Sequence, residues 1–117
     1  KRDWGHAKDY VEAMWLMLQQ KKPNDYVIST GKQYSVKQFV DFVAKKLKMK
    51  IIWSGKGIKE VGKWQNRTII VCNKKYLRPS EVDSLLGNSV KARKELNWKP
   101  KISIDKLVQE MIESKDN

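Results

Sequence analysis

Tyr76, Arg78 and Glu81 form the stretch of this sequence best suited to hold an anion. Arginine is scarce here, because only four of the 25 basic residues are Arg. The Arg78 guanidinium presents a planar fork of donors that grips a phosphate or carboxylate through two hydrogen bonds, which a lysine cannot do. A carboxylate at Glu81 can accept hydrogen bonds from sugar hydroxyls beside such an anion. Taken alone, the stretch is better explained as an Arg–Glu surface pair without a ligand, which is common and weak.

The residues around Arg78 predict how it is presented. Pro79 favours an extended backbone at Arg78 and so predicts a strand end or a turn. Ser80 and Asp83 have the spacing of a capping box, which predicts a short helical turn. Arg2 is a second arginine in a position suited to a ligand, directly before a predicted helix.

The charge balance raises the question of nucleic acid. The formal net charge is +12, but the excess is nearly all lysine scattered along the chain. No arginine-rich recognition helix and no aromatic-interleaved glycine motif is found. We therefore expect a solvated lysine surface, and a small basic nucleic-acid-binding module remains the alternative from another class.

Length and composition predict one folded domain over residues 1–117. Hydrophobic residues make up 40% of the chain, but no run approaches the roughly 18 apolar residues of a membrane span. The single cysteine, Cys72, excludes an internal disulfide and favours a cytoplasmic location. The chain starts without an initiator Met or an apolar signal region, which is typical of a sequence entered partway along.

Several familiar chemistries are not predicted. His6 is the only histidine, so it predicts a hydrogen-bonded structural residue rather than a metal site or a catalytic triad. Gly55, Gly57 and Gly62 do not have the spacing of a dinucleotide fingerprint, and no Walker-type motif follows them, so we expect a flexible surface loop. A Tyr-x-x-x-Lys catalytic pair is also missing, because no tyrosine is followed four positions later by a lysine. The sequence thus predicts no catalytic, cofactor-binding or metal-binding residue.

The elements that must position Arg2 and Arg78 alternate between helix and strand, which favours an α/β unit. A second helix has Ser35 as its N-cap and Gln38 as the capping-box partner, with Tyr34 stapled onto Phe39. The predicted elements are helices over 6–20, from 35 to about 47, after Ser89 and over 103–113, and strands over 26–30, 51–53 and 68–72. The expected core face of the second helix consists of Val36, Phe39, Val40, Val43 and Leu47.

The first helix carries more apolar surface than one face needs. Its stripe consists of Tyr10, Val11, Met14, Trp15 and Leu18, widened by Ala13, Leu16 and Met17. The second half is apolar all round, which predicts burial on several sides against something larger than this chain, or self-association.

Three blocks together resemble the extended short-chain dehydrogenases/reductases that act on nucleotide sugars. Residues 2–10 read Arg-Asp-Trp-Gly-His-Ala-Lys-Asp-Tyr, residues 78–83 read Arg-Pro-Ser-Glu-Val-Asp, and residues 91–100 hold Lys-Ala followed by Leu-Asn-Trp-Lys-Pro. Within that superfamily, the Trp-Gly-His-Ala and Arg-Pro-x-Glu-Val forms are most similar to the GDP-mannose 4,6-dehydratase family. Another nucleotide-sugar epimerase or dehydratase is the alternative within the superfamily.

The resemblance implies a specific role. Arg2 and Arg78 would clamp the diphosphate of GDP-mannose, Glu81 would bind the ribose hydroxyls, and Tyr76 would line the pocket. The fold implied is the C-terminal substrate-binding portion of the enzyme, an α/β (α+β) fragment of helices packed with short strands, without the main Rossmann half. That half would hold NADP and the catalytic residues. The full enzyme is expected to be a homo-oligomer, and this portion is expected to be inactive alone.

Overall fold

The computed structural model describes residues 1–78 and 83–114 of the chain. Within those ranges it contains four α-helices and one three-stranded antiparallel sheet. In chain order the elements are α1 (Ala7–Leu18), α2 (Val36–Lys46), β1 (Ile52–Ser54), β2 (Val61–Trp64), β3 (Arg67–Val71), α3 (Val90–Glu95) and α4 (Ile104–Ser114). Short 3₁₀ turns cover Gly57–Lys59 and Lys74–Tyr76.

The first two helices begin where their capping residues predict. His6 is the N-cap of α1, and its Nδ1 accepts a hydrogen bond from the N–H of Lys8 at 3.0 Å. Ser35 Oγ accepts from the N–H of Gln38 at 3.0 Å, and Gln38 Oε1 accepts from the N–H of Ser35 at 2.7 Å. Both bonds of the predicted capping box therefore form, and the helix-start role predicted for His6 is confirmed.

The two later helices also form as predicted, although α3 is capped differently. Ser103 Oγ accepts from the N–H of Lys106 at 3.2 Å at the start of α4. At α3, the side chain of Ser89 caps no backbone N–H, and Asn88 Oδ1 instead accepts from the N–H of Val90 at 3.1 Å.

The sheet is a meander in which β1 pairs with β2 and β2 pairs with β3. Gln65 and Asn66 turn the chain between β2 and β3 with φ angles of 49° and 64°. Such left-handed angles at both central residues match a tight hairpin turn. The prediction of a flexible loop from Gly55 onward was wrong at β2, because this short strand gains ladder hydrogen bonds on both sides that its own sequence does not reveal.

The strand predicted over residues 26–30 was also wrong, since that run forms no ladder with any described residue. A strand needs a neighbouring backbone, and the N–H of Thr30 is instead held by the carboxylate of Asp3. The strands that do form pair antiparallel, so the predicted α/β fragment is a mixture of helices and a small antiparallel sheet.

The main core lies between α1 and the segment from α3 to Trp98. Trp98 is fully buried, and its indole N–H donates to the carbonyl of Asp9 at 3.0 Å. The buried residues of this cluster are Ala13, Ala92, Leu96 and Trp98, with Tyr10, Leu16, Met17, Tyr26 and Ile28 packed against them.

A second contact region joins α2 to α4, where Ala44 and Val108 are buried. Trp4 stacks on Phe39 of α2 with ring centroids 4.4 Å apart. The predicted staple of Tyr34 onto Phe39 was therefore wrong. Trp4 stacks on the Phe39 ring. The Tyr34 ring instead packs edge-on against the Phe42 ring, with centroids 5.5 Å apart.

The cores are small for a chain of this length. The radius of gyration is 17.7 Å, against about 13 Å for a compact domain of this size. Several residues predicted to be buried are exposed, namely Val11, Met14, Trp15 and Leu18 on α1, and Val36 and Leu47 on α2. These side chains have the helical spacing of a core, but no described part of the chain covers them.

Replacing Asp9 with alanine should destabilise the fold by about 3 kcal/mol. Asp9 is only 2% exposed, and its Oδ2 accepts from the N–H groups of Lys101 and Ile102 at 3.1 and 3.0 Å. Its removal leaves both donors unpaired. The matched control is Glu12→Ala, which removes an exposed carboxylate paired with Lys101 and should cost about 0–1 kcal/mol. Urea unfolding measures both, and equal losses would contradict the role given to Asp9.

Replacing Tyr10 with phenylalanine should make the free energy of unfolding fall less steeply at alkaline pH. Partial burial raises the pKa of the Tyr10 hydroxyl above its usual 10.0, and the carboxylates of Asp3 and Asp9 raise it further. The folded state therefore keeps this proton where the unfolded state has lost it, so the contribution to stability is full below about pH 10 and falls as the pH rises above it. Urea unfolding between about pH 8 and 11 should give a shallower decline for Tyr10→Phe. If the free energy of unfolding declined identically with pH in both proteins, the role given to the Tyr10 hydroxyl would be wrong.

Candidate functional site

Backbone hydrogen bonds to Tyr34 fix the segment that carries Arg2. The N–H of Arg2 donates to the carbonyl of Tyr34 at 2.9 Å, and the N–H of Tyr34 donates to the carbonyl of Arg2 at 2.8 Å. The Trp4 indole N–H donates to the same Tyr34 carbonyl at 3.0 Å. Arg2 thus projects from a short two-residue ladder rather than from a loose loop.

Asp3 ties this segment to the end of the 26–30 run. Its carboxylate accepts from the Thr30 hydroxyl at 2.6 Å, from the Thr30 N–H at 3.0 Å and from the Gly31 N–H at 2.9 Å. Gly31 has a φ of +80°, which glycine adopts without strain. The carboxylate therefore takes the place of a ladder partner at Thr30.

The chain that follows Arg78 returns to the same place. The backbone nitrogen of Lys1 donates to the carbonyl of Asp83, and the N–H of Leu85 donates to the carbonyl of Lys1 at 3.1 Å. Asp83 lies five positions after Arg78 in the sequence. The Arg2 segment and residues 83–85 are thereby joined through Lys1.

Arg2 lines a cavity of about 340 Å³ at this junction. Four of its lining residues have charged or polar side chains, namely Arg2, Asp3, Tyr10 and Ser29. The cavity is lined by Arg2, Asp3, Tyr10, Ile28, Ser29, Leu85, Leu86 and Gly87. The volume falls at the lower end of the range for small-molecule sites, so the cavity is large enough for a diphosphate group.

Ser29 and Gly87 give this cavity a tightly packed floor. Ser29 is buried, and its hydroxyl oxygen has no hydrogen-bond partner among the described residues. A Cβ at Gly87 would lie 2.6 Å from the Cβ of Ser29, which is too close for any other residue. Sequence reasoning missed Ser29, Gly87 and Tyr10 as cavity residues, since only the fold brings residues 29 and 87 together.

The other predicted site residues lie elsewhere or outside the described chain. Arg78 is exposed, and Tyr76 is 73% exposed at the end of a 3₁₀ turn. Tyr76 lines a different and larger cavity of about 670 Å³, formed with Gly57, Ile58, Val71, Cys72, Asn73 and Leu77. The structure therefore does not place Tyr76 in the Arg2 cavity. Glu81, and Ser80 of the capping box predicted between Ser80 and Asp83, fall on residues 79–82, outside the described residues.

The glycines after β1 do not fit a dinucleotide cofactor. Gly55 has a φ of +83°, and a Cβ there would lie 2.4 Å from the carbonyl oxygen of Lys59, so the turn itself requires glycine. A single 3₁₀ turn follows, whereas a pyrophosphate site needs the start of a longer helix. Gly55 and Gly57 therefore do not form a pyrophosphate-binding turn of this kind.

His6 serves the fold rather than a metal. Since Nδ1 accepts from Lys8, Nε2 carries the proton and donates to Glu110 Oε2 at 2.6 Å, which links the start of α1 to α4. Among residues 1–78 and 83–114, no cluster of three or more His, Cys, Asp or Glu side chains could hold a metal ion. No helix in those ranges is long and apolar enough to cross a membrane.

Comparisons with known proteins agree with one another. A family model described as GDP-mannose 4,6 dehydratase matches residues 1–111. GDP-mannose 4,6 dehydratase 2 of Caenorhabditis elegans is 53% identical over 97% of this chain, and the Drosophila melanogaster GDP-mannose 4,6 dehydratase is 53% identical over 97%. The Homo sapiens GDP-mannose 4,6 dehydratase is 50% identical over 96%.

The matched region is one part of each relative. It covers 30% of the Caenorhabditis protein, 29% of the Drosophila protein and 31% of the human protein. The chain therefore spans about a third of the length of the curated relatives it matches. Since the family model covers nearly the whole chain at these identities, the chain belongs to the GDP-mannose 4,6-dehydratase family.

Proposed function

We propose that residues 1–117 form the C-terminal, GDP-mannose-binding part of a GDP-mannose 4,6-dehydratase. The relatives that support this proposal carry that name and match along nearly the whole chain. Such an enzyme converts GDP-mannose to GDP-4-keto-6-deoxy-mannose, a precursor of GDP-fucose and related deoxysugars. The proposed location is the cytoplasm, where the single exposed thiol of Cys72 stays reduced.

Within this proposal, Arg2 and Arg78 hold the diphosphate of GDP-mannose from two sides. The observation that supports it is the junction at Lys1, which joins the Arg2 segment to Asp83 and Leu85, a few positions after Arg78 in the sequence. Two guanidinium forks satisfy the many acceptors of a diphosphate better than ammonium groups do. The Arg2 cavity supplies the concave surface for the phosphates.

Glu81 and Tyr76 complete the proposed contacts to the nucleotide. Glu81 accepts hydrogen bonds from the ribose hydroxyls, three positions after Arg78. Tyr76 offers an exposed ring at the mouth of the 670 Å³ cavity, two positions before Arg78. That cavity has apolar walls, which suit the flat nucleoside end of the substrate better than its phosphates.

In this proposal, the chemical steps are carried out by the part of the dehydratase that lies outside residues 1–117. The reaction oxidises the hexose at C4, removes water across C5 and C6 and returns a hydride to C6. NADP supplies the oxidation and the hydride when bound, but the glycines of this chain do not form its site. No tyrosine here is followed four positions later by lysine. These residues therefore bind and orient substrate, and alone they are inactive, while the complete enzyme acts as a homo-oligomer.

Titration calorimetry with GDP tests the roles of the arginines. Arg78→Ala should weaken GDP binding about 10- to 100-fold, which corresponds to losing charged hydrogen bonds of about 1.5–3 kcal/mol. Arg2→Lys keeps the charge but loses the paired donors, so we expect about a tenfold loss.

The matched control is Arg67→Ala, which removes an exposed arginine from β3. It should leave GDP affinity unchanged. Equal losses for Arg67→Ala and Arg78→Ala would refute the clamp and favour a diffuse basic surface, for which binding falls steeply with salt. The alternative of a diffuse basic surface is based on the scattered lysines and the net charge of +12.

A further inference from the structure

One buried hydroxyl has no hydrogen-bond partner among the described residues. Ser29 is only 5% exposed, and its Oγ is the single fully buried side-chain polar atom without a partner in the described part of the chain. The other two buried polar side chains are bonded, since Asp9 accepts from two backbone N–H groups and Ser89 Oγ accepts from the Nε–H of Arg93 at 3.0 Å. A buried hydroxyl without a partner is destabilising, because burial has removed its bonds to water. The surroundings of Ser29 indicate which partner it takes.

The fold holds Ser29 in place at the Arg2 cavity. The next residue, Thr30, is fixed by the carboxylate of Asp3, which accepts from its hydroxyl at 2.6 Å and from its N–H at 3.0 Å. A Cβ at Gly87 would lie 2.8 Å from the Oγ of Ser29, so only glycine leaves room for this side chain. Ser29 lines the cavity together with Arg2. The hydroxyl is therefore a donor whose position is set before any ligand binds.

The lining of this cavity favours an anionic ligand. Arg2 supplies a positive charge and hydrogen-bond donors. The Tyr10 hydroxyl keeps its proton at neutral pH, because partial burial raises its pKa above 10.0. The one carboxylate in the lining, that of Asp3, already accepts from three donors, the Thr30 hydroxyl and the N–H groups of Thr30 and Gly31. Phosphate oxygens are strong acceptors, so they suit a cavity whose lining offers mostly donors.

We propose that the Ser29 hydroxyl donates a hydrogen bond to a phosphate oxygen of the substrate diphosphate, as a third contact beside Arg2 and Arg78. The proposal rests on the GDP-mannose-binding role given above. The two guanidinium groups supply charge, whereas the short side chain of Ser29 has only one dihedral angle that moves its oxygen and so fixes the position of a single phosphate oxygen. The hydroxyl that is unpaired in the free protein becomes paired in the complex, so its hydrogen bond contributes to binding rather than to folding.

Ser29→Ala removes one oxygen and leaves the Cβ, so it separates a binding role from a structural one. Without nucleotide, the urea midpoint of unfolding should stay the same or rise, because a buried hydroxyl without a partner is removed. In titration calorimetry, the affinity for GDP should fall about three- to tenfold, and the affinity for guanosine should not change.

Two results of these measurements would overturn the proposal. A lower urea midpoint would show that the hydroxyl is bonded within the fold. Unchanged GDP affinity would show that the hydroxyl does not contact the phosphates, which is also the result expected if its partner is only a buried water.

Two further variants make the test specific. Ser54→Ala removes an exposed serine at the end of β1 and should change neither the urea midpoint nor the affinity for GDP. Equal losses of GDP affinity in Ser54→Ala and Ser29→Ala would overturn the proposal. Arg78→Ala, measured beside them, separates this proposal from the arginine clamp. If Arg78→Ala weakens GDP binding and Ser29→Ala does not, only the role of Ser29 is wrong, whereas equal affinities of the unaltered chain for GDP and guanosine would contradict both.

Discussion

The buried carboxylate and carbonyl of Asp9 join the two ends of the chain. The carbonyl accepts the Trp98 indole N–H, and the carboxylate accepts the backbone N–H groups of Lys101 and Ile102. These bonds span 89 to 93 positions of sequence. In a chain whose buried cores are small, a desolvated anion with its donors in place is a large share of what holds α1 to the C-terminal segment. The His6–Glu110 bond strengthens the same junction.

The geometry of the candidate site depends on the junction at Asp9. Once α1 is fixed, the segment before it is held by Tyr34 through a two-residue ladder and by Thr30 through Asp3. Lys1 then bonds to Asp83 and Leu85, and Leu85 lines the Arg2 cavity. The position of Arg2 is therefore set by the same hydrogen bonds that stabilise the fold.

Features of the sequence that act locally predicted the structure well. The Ser35–Gln38 capping box, the N-cap at His6 and the start of α4 depend on residues within three positions, and all three were right. The 26–30 strand depends on a neighbouring strand far along the chain, and the Tyr34 staple fails because Trp4, from the start of the chain, stacks on Phe39; both predictions were wrong. A run of β-branched and aromatic residues cannot reveal whether a neighbouring strand is present.

The candidate site shows the same limit. Arg2 and the Arg78 stretch were singled out by residue type and resemblance, and the bonds of Lys1 to Asp83 and Leu85 join their surroundings. The cavity itself could not be predicted, because its floor comes from Ser29 and Gly87, which are 58 positions apart (87 minus 29). The roles of Arg78, Glu81 and Tyr76 remain predictions.

The exposed stripe of α1 and the arginine clamp describe one arrangement. The uncovered stripe of α1 lies on the helix that directly follows Arg2, the arginine proposed to hold the substrate phosphates. A pocket between two parts of an enzyme excludes water, so fixed charges act most strongly there. The small core, the elongated shape and the uncovered helix face are all expected of a binding part that completes its packing only against a larger neighbour.

The central claim is that Arg2 and Arg78 recognise the diphosphate rather than the nucleoside. The most direct measurement is the ratio of GDP to guanosine affinity for the unaltered chain, Arg2→Ala and Arg78→Ala, by titration calorimetry at fixed salt. The account predicts a preference for GDP of at least about 100-fold that falls about tenfold or more in each variant, with guanosine affinity unchanged. Variants that weaken GDP and guanosine equally would contradict it, because the arginines would then support the fold and not the phosphates.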